Sequence, residues 1–205
     1  MPAAFESSEH AARFDPTHFA DCRYAWHWPL GPARSGSARL RLKIVELWNA
    51  SKGRADRTLA DGVASSSHAT KEIRALLSSE SGHLRDRFKQ FLSETYEIVP
   101  RAADAIAGGD VAAFGAQVAR SQLASEKLLG NQIEATIALV RLAREHDAAV
   151  ASAFGAGFGR SVWALVRAAS AGQFLHDWRD AYRAASPPRG GNCRVLSDRP
   201  GPGAL

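Results

Sequence analysis

The sequence predicts an α+β fold in which helices come first and a small antiparallel sheet follows. Three observations predict it. From Leu40 to Leu142 the apolar residues recur three or four positions apart, the period of one helix face. At Ala151–Val166 a run of small residues enters a turn with glycine at alternate positions, Gly155, Gly157 and Gly159, and a β-branched and aromatic run leaves it. After one more helical stretch, Asn192 to Ser197 has the composition of a further strand.

The elements follow in order. Met1 to Arg39 carries His10, His18 and His27, the aromatics Tyr24, Trp26 and Trp28, and several prolines, with no sustained period. It reads as an N-terminal arm (1–39) of unrelated sequence without regular structure, ahead of one domain (40–205). Pro32 to Ser37 reads as a linker. Leu42, Ile44, Val45, Leu47 and Trp48 give a short amphipathic helix that Asn49 to Gly53 stops. Ser66 or Ser67 is placed to cap a helix through Ile73, Leu76 and Leu77. Leu84, Phe88, Phe91, Leu92, Tyr96, Val99, Ala103 and Ile106 share one face of the longest helix, which Pro100 should kink or divide. Gly108 and Gly109 end it, and Asp110 can cap the next, running through Val111, Phe114, Val118, Leu123 and Leu128 to Gly130. Asn131 can cap a third, with Ile133, Ile137, Val140 and Leu142 inward. His146 falls at its end, where an imidazolium suits the helix dipole. The helix from Ala171 to Ala185 puts Phe174, Leu175, Trp178 and Tyr182 on one side.

The chain has 205 residues, which fits one domain with room for an arm, and 45% of them are hydrophobic, enough for a packed core. The formal charge is +5. The basic residues, nearly all arginine, alternate with acids, as in Arg85–Asp86–Arg87 and Arg141 to Glu145. That is the pattern of solvated helix surfaces, so a nucleic-acid partner is not expected. Cys22 and Cys193 are far apart and have no metal-ligand spacing. His18, Cys22 and His27 read as incidental, so no metal site is expected. No apolar run reaches a membrane span, and Glu6, Glu9, His10 and Arg13 interrupt any signal core. A soluble, reduced, cytoplasmic protein with no membrane partner is the expectation.

The glycine turn admits several chemistries. A dinucleotide fingerprint needs glycine at its sixth position and a following helix, but Arg160 stands there and a strand follows. A P-loop needs a lysine and a hydroxyl residue after its last glycine, and both are absent. Protein-kinase loops have a longer spacing, and that family's catalytic loop has no counterpart. A turn lining a cleft and a tight hairpin with no ligand remain.

The run from Ser152 to Val166 resembles the third motif of the GHMP small-molecule kinases in its galactokinase form. Phe91 to Ala105, Gly109 to Gly115, Leu128 to Ile133, Glu46 to Leu59 and Arg199 to Gly203 extend the resemblance over about Leu40 to Leu205. The resemblance implies the C-terminal domain of that family, a ferredoxin-like α+β unit. It implies transfer of the ATP γ-phosphoryl group, with Mg²⁺, to a sugar hydroxyl, galactose first. The cleft loop would be Gly155, Ala156, Gly157, Phe158 and Gly159, with Ser161 beside it; Arg160 departs from the family's glycine. The family's sugar motif and catalytic Asp region have no match, so no catalytic residue is assigned. Gly62 to Ala69 only echoes its phosphate loop. The chain is therefore expected to be an incomplete, inactive portion, or a non-catalytic remnant or interaction module. It would pair with a separate N-terminal half or associate with itself through an uncovered face of the sheet.

Overall fold

The structure, a computed structural model, describes residues 22–27, 36–154, 161–186 and 194–198, with side chains omitted for 22–27 and 36–38. Its sheet has four strands: β1 (Cys22–His27), β2 (Val150–Phe154), β3 (Ser161–Arg167) and β4 (Val195–Asp198). They lie in the order β2-β3-β1-β4, each neighbour antiparallel to the next. The register runs Cys22↔Arg167 to His27↔Val162 between β1 and β3, and Val150↔Leu165 to Phe154↔Ser161 between β2 and β3.

In chain order this is β, helices, β, β, helix, β, with the first and third strands central. That is the ferredoxin-like arrangement. Where a minimal fold has one helix between its first two strands, this chain inserts seven among the described residues. They are α1 (Gly36–Lys52), α2 (Leu59–Ala64), α3 (Ala69–Leu76), α4 (Gly82–Ser93), α5 (Val99–Ala107), α6 (Val111–Ala124) and α7 (Glu134–Glu145). The last, α8 (Ala171–Ala185), joins β3 to β4.

Two features differ from the sequence reading. The boundary at residue 39 cuts through the fold. Strand β1 comes from the segment set apart as an arm, and α1 begins at Gly36. The physical reason is a period of two that aromatic and histidine content obscured: Tyr24 and Trp26 alternate with Arg23 and Ala25, and large aromatic residues favour strands. The sheet, expected to have an uncovered face, is packed on both sides over β2 and β3, while Leu196 of β4 stays 65% exposed. Ala151, Val162, Ala164 and Val166 meet α7 and α8 on one side, with Leu139, Phe174, Trp178 and Tyr182 in the same core. Val150 and Leu165 meet Ile106, Val111, Phe114 and Val118 of α5 and α6 on the other. Burying each large apolar side chain contributes about 1.5–3 kcal/mol. The Trp178 indole N–H is paired as well, donating to the Leu139 carbonyl at 3.0 Å.

The remaining helices make a second core. Ile44, Val45 and Trp48 of α1 pack with Leu59, Ile73, Leu77, Leu84 and Phe88. A clasp closes the end of α1. Asp56 accepts from the Trp48 indole at 3.1 Å and from two guanidinium nitrogens of Arg54 at 2.8 and 2.9 Å. Asn49 pairs with the Asp56 backbone through both its amide nitrogen and its oxygen.

Local signals account for some helix ends. Asp110 accepts from the Ala113 N–H at 2.8 Å, after Gly109 has turned the chain at φ +68°. Pro100 divides the long helix as expected. The five residues before α5, Glu94–Ile98, form a π-helical turn that passes α4 into α5. Asn131 does not cap α7; Thr136 does, its hydroxyl accepting from the Ile133 N–H at 3.2 Å. Ile137 is exposed; Val140 and Leu142 face inward as expected, joined by Leu139 and Ala143. Ser66 accepts from the His68 N–H one residue ahead of α3, rather than capping the helix itself.

Candidate functional site

The glycine turn is the part of the sequence with chemistry to place, and its stem is built with unusual care. Strands β2 and β3 form the expected hairpin, closed by the Phe154↔Ser161 pair. Of the expected loop site, Gly155, Ala156, Gly157, Phe158 and Gly159 lie outside the described residues, as does Arg160. Ser161 is described and is only 3% exposed. Phe154, at the other foot of the turn, is exposed.

Strand β2 is a sheet edge, so its outward N–H and C=O groups need partners. Helices α6 and α7 supply them. Gln122 of α6, buried at 3% exposure, accepts from the Ala153 N–H at 2.8 Å and from the Ser152 hydroxyl at 3.0 Å. Its amide nitrogen donates to Glu126 at 2.8 Å, which fixes the orientation of the side chain. Arg144 of α7 donates to the Ala151 carbonyl at 3.0 Å. Close approach does the rest. A Cβ on Gly115 would stand 2.6 Å from the Ala149 carbonyl oxygen, so α6 lies against β2 at a distance only glycine permits. Phe114 stacks obliquely on Trp163, with centroids 6.4 Å apart. The turn therefore grows from a stem held by hydrogen bonds and packing along its whole length.

A second polar chain lies behind it. Buried Arg87 donates to the Gln90 side-chain oxygen. Gln90 donates to Glu94 at 3.4 Å, and the Ser121 hydroxyl donates to the same carboxylate at 2.9 Å. Burial pushes the Arg87 guanidinium down to about 10; the nearby charge of Arg41 acts in the same sense and Glu94 opposes both. Ser121 and Gln122 are neighbours on α6, so one turn of helix ties the hairpin on one side and the buried Arg87–Glu94 chain on the other.

Sequence reasoning missed Gln122 and Arg144. Arg144 was grouped with Arg141 and Glu145 as helix surface. Arg141 does pair with Glu145, at 2.6 Å, but Arg144 turns to the strand edge. Gln122 gives no signal beyond a polar residue in a small-residue helix with Glu126 four positions on. The echo of a phosphate loop at Gly62 to Ala69 is a helix junction. The Ser65 hydroxyl donates to the Gly62 carbonyl at 2.7 Å, and Gly62 is packed beneath Trp48. His146 follows α7, its backbone N–H donating to the Leu142 carbonyl.

Ser161 is buried, and no group of three His, Cys, Asp or Glu side chains gathers among the described residues. No helix among the described residues is long and apolar enough to cross a membrane.

The described elements form a ferredoxin-like α+β fold elaborated by helices between its first two strands. Within solved structures the chain is similar to the galactokinase of Lactococcus lactis in complex with galactose. The TM-score is 0.68 at 16% identity, over 88% of this chain and 47% of that one. It is also matched, at a TM-score of 0.46, by the phosphomevalonate kinase of Streptococcus pneumoniae, with 16% identity over 87% of this chain and 40% of that one. The mevalonate kinase of L. major gives the same score, with 18% identity over 89% and 44%. These neighbours are GHMP kinases. The chain spans about half the length of the galactokinase it matches. No protein-family model matches the sequence, and no curated protein matches it.

Proposed function

We propose that this chain is one half of a galactokinase-like sugar kinase. The other half would supply the sugar site, the phosphate loop and the catalytic carboxylate. In the complete enzyme the oxygen of a sugar hydroxyl attacks the γ-phosphorus of ATP and the bond to the β–γ bridging oxygen breaks. The hydroxyl proton is released, and sugar phosphate and ADP result. Such chemistry rests on positioning and on neutralising phosphate charge with Mg²⁺. The role assigned to this chain is one wall of the cleft, the turn Gly155–Gly159 with Ser161 at its foot. Galactose or a related sugar is the proposed acceptor, and the cytoplasm the proposed compartment.

The observation that carries the reading is a fold match of 0.68 over nearly nine-tenths of the chain, with a glycine turn of galactokinase form on the β2–β3 hairpin. The alternative, a non-catalytic remnant or interaction module, draws on the 47% coverage of the galactokinase. The test is a coupled assay of ADP release with ATP, Mg²⁺ and galactose. The chain alone should give no sugar-dependent turnover. Mixed with the polypeptide encoded immediately upstream, it should form sugar phosphate if the first reading holds; an inactive mixture favours the second.

A further inference from the structure

Away from the hairpin, helices α1, α2 and α4 enclose a groove of about 460 Å³, within the range of small-molecule sites. Its wall is apolar: Leu42, Val45, Leu59 and Phe91 line it. Leu42 is 58% exposed, a high value for a leucine on a helix that buries Ile44, Val45 and Trp48. Two arginines, Arg41 and Arg57, line the same groove.

Those two arginines lack the carboxylate partner that some others in the fold have. Arg54, Arg120, Arg141, Arg179 and Arg183 each have a carboxylate partner. Among the described residues Arg41 and Arg57 have none. The acids nearest in sequence are already engaged. Glu46 faces Lys43 at 3.7 Å, Asp56 is held by Arg54, and Asp61 accepts from the Thr58 N–H at 2.9 Å. Arg41 also lies close enough to buried Arg87 for their charges to oppose each other. This corner of the protein therefore has an excess of positive charge beside an apolar wall.

We propose that the groove between α1, α2 and α4 binds a small amphiphilic anion, with one phosphate or carboxylate between Arg41 and Arg57 and an apolar body against Leu42, Val45, Leu59 and Phe91. Both halves of the ligand are needed. An inorganic anion leaves the wall wet, and a neutral alkyl chain leaves the arginines unpaired. The site is separate from the hairpin and does not depend on the kinase reading.

Octyl phosphate is the probe, titrated into the whole chain by calorimetry below its micelle concentration. One molecule per chain should bind saturably. Octanol and inorganic phosphate should each bind at least about tenfold more weakly, since each forfeits one class of contact. Arg41→Gln and Arg57→Gln should each weaken octyl phosphate about tenfold, the scale of one charge-assisted hydrogen bond. Leu42→Glu should weaken it at least as much. Arg57 and Leu42 are exposed, so these variants should retain the parent melting temperature. Amide shifts on wild-type protein give an independent reading: Leu42, Val45 and Leu59 should move together. Absence of saturable binding would overturn the proposal. So would equal binding of octanol, unchanged affinity in both arginine variants, or shifts confined to the more basic groove of Arg74, Arg85 and Lys89.

Discussion

Gly115 decides how closely α6 can approach β2, and replacing it weighs two opposed terms. In an exposed helix interior, glycine to alanine stabilises by about 1 kcal/mol through helix propensity. Here the new Cβ would lie 2.6 Å from the Ala149 carbonyl oxygen. Ala149 immediately precedes β2 and its N–H is bonded to the Leu165 carbonyl, so its oxygen has little room to rotate aside and several tenths of an ångström must come from moving α6 away. Overpacking of this kind costs about 1–3 kcal/mol. The net for Gly115→Ala is a loss of about 1 kcal/mol, or roughly 2–4 °C of melting temperature in a chain this size. Gly115→Val adds bulk and recovers less propensity, so it should cost about 2–3 kcal/mol and lower the midpoint further. Gly172, in α8, has nothing within 4 Å of its virtual Cβ and serves as the control. Gly172→Ala should be neutral or stabilising by up to about 1 kcal/mol. Thermal unfolding followed by circular dichroism reads all three. If Gly115→Ala melts as high as Gly172→Ala, α6 does not pack on β2 as described, and the held stem of the hairpin is lost with it.

Three further outcomes are expected. Gln122→Leu strands the Ala153 N–H at the strand edge, while the Ser152 hydroxyl keeps the Ala153 carbonyl at 3.2 Å. It should cost about 1–3 kcal/mol, with faster hydrogen exchange at Ala153 while the amides of α1 stay protected. The Arg54 guanidinium holds the Asp56 carboxyl below the usual carboxylate range, and the Trp48 indole adds to this. A depressed carboxyl stabilises above its unfolded value near ~4 and loses that contribution as pH falls through the folded value. The melting temperature of the wild type should therefore drop more steeply than that of Asp56→Asn below about pH 4; parallel curves would remove Asp56 from the account. Trp178→Phe removes the indole donor to the Leu139 carbonyl, which keeps its helical partner, and puts a smaller ring in a fully buried site. It should cost about 1–2 kcal/mol, read from urea unfolding.

The sequence made the helices and the hairpin legible because both rest on local signals. Phe174, Trp178 and Tyr182 share a face by spacing alone, and Asp110 after Gly109 announces a helix start. The strand β1 was not legible. A six-residue strand at the centre of a sheet is defined by partners more than a hundred residues away, and its own alternation is too short to outweigh its mixed composition. Gln122 was hidden for a related reason. Its importance lies in facing an edge strand thirty-one residues further along, which no spacing on α6 encodes. The turn itself could be named from its glycines, yet what it meets depends on residues beyond those described.

The central claim is that this fold contributes one half of a sugar-kinase site. It is tested most directly by measuring galactose phosphate formed from ATP and Mg²⁺ by the purified chain, alone and with the upstream-encoded polypeptide. The account predicts no product from the chain alone and product from the pair, lost when Gly157 is replaced by valine. Turnover by the chain alone, or a pair whose activity ignores Gly157→Val, would contradict it.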